Sequence, residues 1–199
     1  MDQILERILE QNMDQTILIR KATAADAAFI ARVAVMALGE DFAAFLDDTD
    51  KMERITAICH REDTLYSWAN AWVAVCDDMP VGAIIGYDGA RYAAMRELTF
   101  GLFADMLDDT TRQMPMETER GEYYLDSLAV EPAYRNRGIA RQLLLHARES
   151  FLKEKKQPVT LVVLPDNPAR GLYESIGFVP EKHLFLFGED YLRCKYLPV

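Results

Sequence analysis

Apolar positions along the chain fall into alternating strand-like and helix-like runs. Thr16–Arg20 alternates weakly and predicts a first strand. Thr23 with Asp26 forms a capping pair ahead of an apolar stripe at Phe29, Ile30, Val33 and Ala37, which Gly39 ends. Residues 50–61 repeat the helical spacing through Met52, Ile55 and Ile58. Ala71–Cys76 and Val81–Tyr87 are apolar runs separated by Asp77-Asp78-Met79-Pro80, which predicts a hairpin. Residues 89–107 read as a helix through Tyr92, Met95, Leu98, Leu102 and Met106. The polar stretch 108–121, with Pro115 and Gly121, reads as a loop. Tyr123–Val130 predicts a strand, and Gly138 to Lys155 a long helix with Leu143, Leu144 and Phe151 inward. Val159–Leu164 predicts a buried central strand. Asn167 and Pro168 read as the N-cap and first residue of a helix that Gly177 ends. Phe185–Phe187 and Tyr191–Leu197 predict a closing hairpin around Gly188-Glu189-Asp190. At the N-terminus, Ile4, Leu5, Ile8 and Leu9 predict a short amphipathic helix.

This pattern divides the chain into an extension, 1–15, and a single domain, 16–199, with a helical and loop insertion at 88–121. A chain of 199 residues is long enough for one buried core. No apolar run approaches the ~20 residues of a membrane span. Residues 1–15 lack a basic region followed by an apolar stretch, so no secretory signal is expected. Cys59, Cys76 and Cys194 are far apart and predict free thiols in the cytoplasm. His60, His146 and His183 are equally scattered, so no metal site is expected. The net charge of −10 argues against nucleic acid as a partner. No Gly-x-Gly-x-x-Gly after a strand and no Gly-Lys-Ser/Thr motif is present, which removes dinucleotide and P-loop readings.

Residues 124–144 change the picture most. A strand ending near Val130 leads into a turn holding Pro132, Arg135 and Arg137, and a helix opens at Gly138. That order gathers bare backbone N–H groups, the positive end of a helix dipole and arginines at one point, where phosphate binds. In an acidic chain, Arg135, Arg137 and Arg141 make a local positive site.

Arg135-Asn136-Arg137-Gly138-Ile139-Ala140 resembles the acetyl-CoA loop, Gln/Arg-x-x-Gly-x-Gly/Ala, of the GNAT superfamily of N-acetyltransferases. Asn167-Pro168-Ala169-Arg170-Gly171-Leu172-Tyr173-Glu174-Ser175-Ile176-Gly177-Phe178 resembles a second stretch of the same family. The resemblance spans roughly residues 16–198 and is specific over 123–180. It implies an α/β fold whose mixed, mostly antiparallel sheet is splayed between its fourth and fifth strands and flanked by helices. It implies acetyl-CoA as co-substrate, held by Leu128, Ala129, Val130, Arg135, Asn136, Arg137, Gly138, Ile139, Ala140, Arg141, Asn167 and Tyr173. It also implies that the turn between the first two helices, with Glu40, Asp41, Phe42, Phe45, Asp47 and Asp48, lines the acceptor side. The insertion is longer than the family's usual link between these strands, and reads either as a binding loop or as a passive excursion.

The implied reaction transfers an acetyl group to a primary amine by direct attack in a ternary complex. An amine with a pKa near ~10.4 must lose a proton first, so a base is needed. By resemblance Tyr173 faces the coenzyme sulfur as general acid, and Asp126 is the base candidate. Glu122 is a second candidate, four residues earlier on the same face if the strand is regular, with Tyr124 between them to position the acceptor. A family bulge in this strand would move either acid. A backbone N–H near Leu128 would meet the oxyanion.

Asp105, Asp108, Asp109, Glu117, Glu119, Glu122 and Asp126 are opposed only by Arg112 and Arg120. This segment reads either as a solvated acidic loop or as a border of the acceptor channel that attracts a cation such as a polyamine, an aminoglycoside-like amine or a basic peptide end. Two alternatives stand beside the small-amine transferase: an acyl-CoA-binding module without transferase activity, and an enzyme acting on protein or peptide amines. A homodimer through sheet edges is one assembly that the resemblance implies.

Overall fold

A computed structural model describes residues 16–105, 113–154 and 156–197. The predicted helix in 1–15 and residues 106–112 of the insertion lie outside the described residues. Seven strands form one sheet: β1 (Ile17–Lys21), β2 (Ala71–Cys76), β3 (Met79–Asp88), β4 (Tyr123–Val130), β5 (Val159–Val163), β6 (Val179–Leu186) and β7 (Glu189–Tyr196). Their order is β1-β2-β3-β4-β5-β7-β6. Every described pairing is antiparallel except β4 with β5.

Successive residues of the central strands feed opposite layers, as strand geometry requires. Val73, Val75 and Ile85 pack with Ile30, Val33 and Ile55 from helices α1 (Ala27–Ala37) and α2 (Thr49–Cys59). Ala74, Cys76 and Ile84 pack with Leu143, Leu144 and Phe151 of helix α4 (Ile139–Glu154) on the other face. Helix α3 (Gly89–Leu102) adds Tyr92 and Met95 to the first layer. Buried on both faces, β2 and β3 carry no alternation of apolar and polar residues.

The predicted capping pair is present: the Asp26 carboxylate accepts the Thr23 amide at 2.7 Å and an Arg20 fork at 2.8 Å. The first hairpin turns more tightly than predicted. Asp77 and Asp78 both take positive φ, 49° and 62°, so Met79 and Pro80 already belong to β3. A two-residue turn of this hand matches the twist of its strands. The closing hairpin does the same with Phe187 and Gly188, and β6 begins at Val179 rather than Phe185. Exposed side chains along β6 hid it from the hydrophobic pattern.

The insertion is anchored where it rejoins the sheet. A Cβ on Gly89 would sit 2.0 Å from the Glu119 carbonyl oxygen, so only glycine permits α3 to start there. The Gly89 amide donates to the Glu122 carbonyl at 2.9 Å.

Candidate active site

β4 and β5 are partners only at Tyr123–Val159 and Tyr124–Thr160. Beyond that point no register joins them, and the β5-facing edge of residues 125–130 opens into a gap. The turn at the end of β4 is held by its own arginines. Arg135 Nε donates to the Val130 carbonyl at 3.1 Å. Arg137 donates to the Ala133 carbonyl at 3.2 Å and lies over the Tyr134 ring. Arg141 donates to the Ser175 hydroxyl at 2.9 Å. The printed bonds of Arg135 and Arg141 use one N–H each of a five-donor guanidinium. Asn136 and Gly138 take positive φ, 61° and 75°, turning the main chain so that the helix start faces outward. A Cβ on Gly138 would meet nothing within 4 Å. The Gln142 amide makes the first helical bond, to the Gly138 carbonyl, so the amides before it have no acceptor within the helix. Ile139 is a core residue, and only its main chain is available at this mouth.

Helix α5 (Arg170–Ser175) begins later than predicted. Asn167 is not its N-cap. The Asn167 side chain accepts the Ala169 amide at 2.8 Å in a local turn, and its carbonyl accepts the Arg170 amide at 3.0 Å. At the other end Gly177 closes the helix as predicted. The Phe178 amide donates to the Tyr173 carbonyl at 3.1 Å and the Gly177 amide to that of Glu174 at 3.1 Å, the paired bonds of a Schellman motif. The Phe178 ring packs edge-on against Tyr173, centroids 6.2 Å apart. This fixes the aromatic side chain. Burial pushes the Tyr173 phenol up to about 12.

A cavity of 420 Å³ lies on the other layer of the sheet. Its walls come from the end of α1, the turn 40–47, α3, the insertion, β4 and the closing hairpin. Asp126 faces it at a bulge. Gly86 pairs with Leu125 and Ile85 with Ser127, which leaves Asp126 as the extra residue of β4. The bulge breaks strict alternation, so Tyr124, Asp126 and Ser127 all line the same space. Tyr87 donates to one Asp126 oxygen at 2.5 Å and Ser127 to the other at 2.8 Å. Burial raises the Asp126 carboxyl above its usual range, against the pull of those two bonds.

Glu117 meets Asp126 across this cavity from the insertion. Its two oxygens accept the hydroxyls of Tyr92, at 2.8 Å, and Tyr124, at 2.5 Å. Burial raises its carboxyl, and the charge of Asp126 raises it further. The sequence placed Glu117 only within an acidic run. Its selection depends on Tyr92 of α3, and no local spacing in the sequence signals that contact.

Glu122 does not share the face of Asp126. It precedes β4, lies outside the cavity lining, and is ion-paired with Arg193, and with Lys195 at 3.4 Å. Burial alone would raise its carboxyl, but the Arg193 hydrogen bond and charge outweigh that and hold it below the usual range. Arg193 also pairs with Glu181, so Glu122 belongs to a structural network between β6, β7 and the start of β4. This network, and not the bulge, holds Glu122 away from the cavity.

A model of the acetyltransferase (GNAT) domain matches residues 67–180, more than half of the chain. The chain belongs to the GNAT acetyltransferase family. Within this GNAT domain the matched stretch runs from the start of β2 past the anion mouth to Gly177 and Phe178. The chain is similar to the N-alpha-acetyltransferase MAK3 of Arabidopsis thaliana, 36% identical over 85 residues, which are 41% of this chain and 44% of that protein. The chain thus spans under half the length of that curated relative. A solved structure described as an acetyltransferase superposes with a TM-score of 0.72 at 26% identity, over 90% of this chain and 98% of that one. A chain of the NatC complex bound to Gag peptide and CoA superposes with a TM-score of 0.57 at 20% identity, over 92% of this chain and 98% of that one, a likeness of fold alone.

Proposed function

We propose that this GNAT domain transfers an acetyl group from acetyl-CoA to a primary amine by direct attack within a ternary complex. One observation carries the reading. A single strand, β4, presents Asp126 to a cavity and, four residues later, leads from Val130 into a turn and helix start open to an anion. Acceptor and acyl donor would thus meet at one stretch of backbone.

The coenzyme reading is supported by the gap between β4 and β5, by the open surroundings of Gly138 at the helix start and by the CoA named in the NatC neighbour. The Gly138–Arg141 amides with Arg135, Asn136 and Arg137 would hold the pyrophosphate. The open edge of Leu128, Ala129 and Val130 would bind the pantetheine arm as an added strand does, with Asn167 as a further polar contact. Acetyl-CoA supplies a thioester carbonyl and a thiolate leaving group. Asp126, or a water it orients, takes the proton that the ammonium must lose. A backbone N–H near Leu128 stabilises the oxyanion. Tyr173 donates a hydrogen bond or its proton to the departing sulfur, and a proton returns to solvent from Asp126. A carbon–nitrogen bond forms as the carbon–sulfur bond breaks, and the second proton lost by nitrogen ends on the CoA thiol or restores Tyr173, giving the acetamide, free CoA and one proton. Positioning supplies much of the rate.

A second acceptor class, the amino end of a protein or peptide, is favoured by the similarity to the Arabidopsis N-alpha-acetyltransferase. All three cysteines are free and buried, which supports a reducing, cytoplasmic setting. The test is consumption of acetyl-CoA with a panel of amines, beside calorimetry of CoA. Turnover with an amine upholds the transferase. Heat from CoA without turnover on any amine leaves a binding module, and no heat from CoA overturns the assignment of the mouth.

A further inference from the structure

The cavity holds more than a base. Neither Glu117 nor Asp126 has an arginine or lysine ion pair among the described residues. Arg96 acts on Glu117 only from a distance, and its guanidinium donates to the Met114 carbonyl at 2.9 Å. Two half-buried carboxylates face one space without a cation between them. The Tyr66 phenol lines the same space, is raised by burial and by the charges of Asp126 and Glu117, and has no hydrogen-bond partner among the described residues. An ammonium in the cavity would give this hydroxyl a donor.

The remaining walls are apolar. Phe42, Phe45, Phe100 and Phe103 line the cavity, with Phe42 edge-on to Phe45 at 5.6 Å. A second charge lying among these rings would have no partner. On the hairpin side the wall is tied to the insertion. The Phe187 amide contacts Met114 Sδ at 2.9 Å, and Arg193 Nε donates to the Glu117 carbonyl at 3.2 Å. Those ties join the insertion to the hairpin and β7 on that side of the cavity.

We propose that the acceptor is a small primary amine with one positive charge, its ammonium seated between Glu117 and Asp126 beside the Tyr66 hydroxyl and its apolar body lying against the phenylalanine rings of the cavity. This rests on the transferase reading above. Glu117 is here a binding residue that touches the acceptor, and Asp126 keeps the proton-accepting role.

The probes are 2-phenylethylamine, its neutral isostere 2-phenylethanol, spermidine, and a hexapeptide with a free N-terminal methionine. With the full chain saturated in CoA, calorimetry should give 2-phenylethylamine at least about tenfold tighter binding than the alcohol, the scale of a charged hydrogen-bond pair. Its kcat/KM should exceed those of spermidine and the hexapeptide by about tenfold or more. Glu117→Gln should reduce the preference for amine over alcohol by about tenfold while the heat of CoA binding is unchanged. Equal binding of amine and alcohol, or a higher kcat/KM for spermidine or the peptide, overturns the proposal. If E117Q does not fold, the amine and alcohol comparison on the native chain decides alone. If no acetyl group is transferred but the amine still binds tighter than the alcohol, the pocket stands and the transferase reading falls.

Discussion

The Tyr124 hydroxyl donates to the Glu117 carboxylate at 2.5 Å and so joins β4 to an insertion only seven residues earlier. Tyr92 of α3 closes the same carboxylate from the other side at 2.8 Å. Residues 113–122 are thereby drawn over the acceptor face of the sheet, and a segment that reads as a polar loop supplies a wall of the site.

Asp126→Asn should lower kcat/KM about 100- to 10,000-fold, the range of a positioned base. The heat of CoA binding should stay as in the native chain, because the mouth lies beyond Val130. A turnover within twofold of native would return Asp126 to a plain buried carboxylate. Since burial raises this group, the alkaline-rising limb of kcat/KM should sit above the ordinary carboxylate range in a pH profile.

Tyr173→Phe should reduce kcat about 10- to 1000-fold with little change in KM for the amine. Its phenol, pushed up to about 12, is a weak proton donor to a thiol near ~8.5. Most of the effect then comes from a hydrogen bond to the leaving sulfur. Thermal melting should be nearly unchanged, because Phe retains the contact with Phe178.

For Glu122→Gln we expect lost stability rather than lost chemistry. The Arg193 side chain is only 3% exposed and would keep Glu181 as its remaining carboxylate partner. Losing one charged hydrogen bond while Glu181 still pairs with Arg193 costs about 1.5–3 kcal/mol. Urea unfolding should show that loss, and kcat per folded molecule should remain native. A catalytic defect with native stability would restore Glu122 as a base.

Glu117 and Asp126 have carboxyl groups raised in the fold, so the folded state holds protons that the unfolded chain releases. Their contribution to stability therefore falls as pH rises from the unfolded carboxylate range through the raised folded values. Glu117→Gln removes this penalty. Its melting temperature should equal or exceed the native one at pH 8, with the difference shrinking toward pH 4. The Asp26–Arg20 pair acts in the opposite sense: the Asp26 carboxyl is lowered first by the Arg20 hydrogen bond, so its support is lost in acid.

Gly138→Val should weaken CoA binding by about tenfold or more in calorimetry. A β-branched residue at φ 75° is strained by roughly 1–2 kcal/mol and would turn the amide away. Unchanged affinity would separate the helix start from the coenzyme.

Local rules made much of this protein legible. β4 occupies the predicted Tyr123–Val130, α4 opens one residue after Gly138, and Gly177 closes α5, because each boundary is fixed by residues adjacent in the chain. Asn167 misled because an Asx turn and a helix cap use the same side chain and the same spacing. β6 stayed hidden because an edge strand with exposed side chains has no apolar rhythm.

The acceptor cavity was legible only in part. Phe42 and Phe45 were expected on that side, but Glu117, Tyr87, Tyr92 and Tyr66 come together from β3, α3, the insertion and the segment after α2. Sequence by itself determined the family, the strand-turn-helix mouth and the presence of an acid in β4, since each is written in contiguous residues. Only the tertiary structure decided which acid enters the cavity. Asp126 faces the cavity from the same side of β4 as Tyr124, while Arg193, 71 residues away, holds Glu122 in a structural pair.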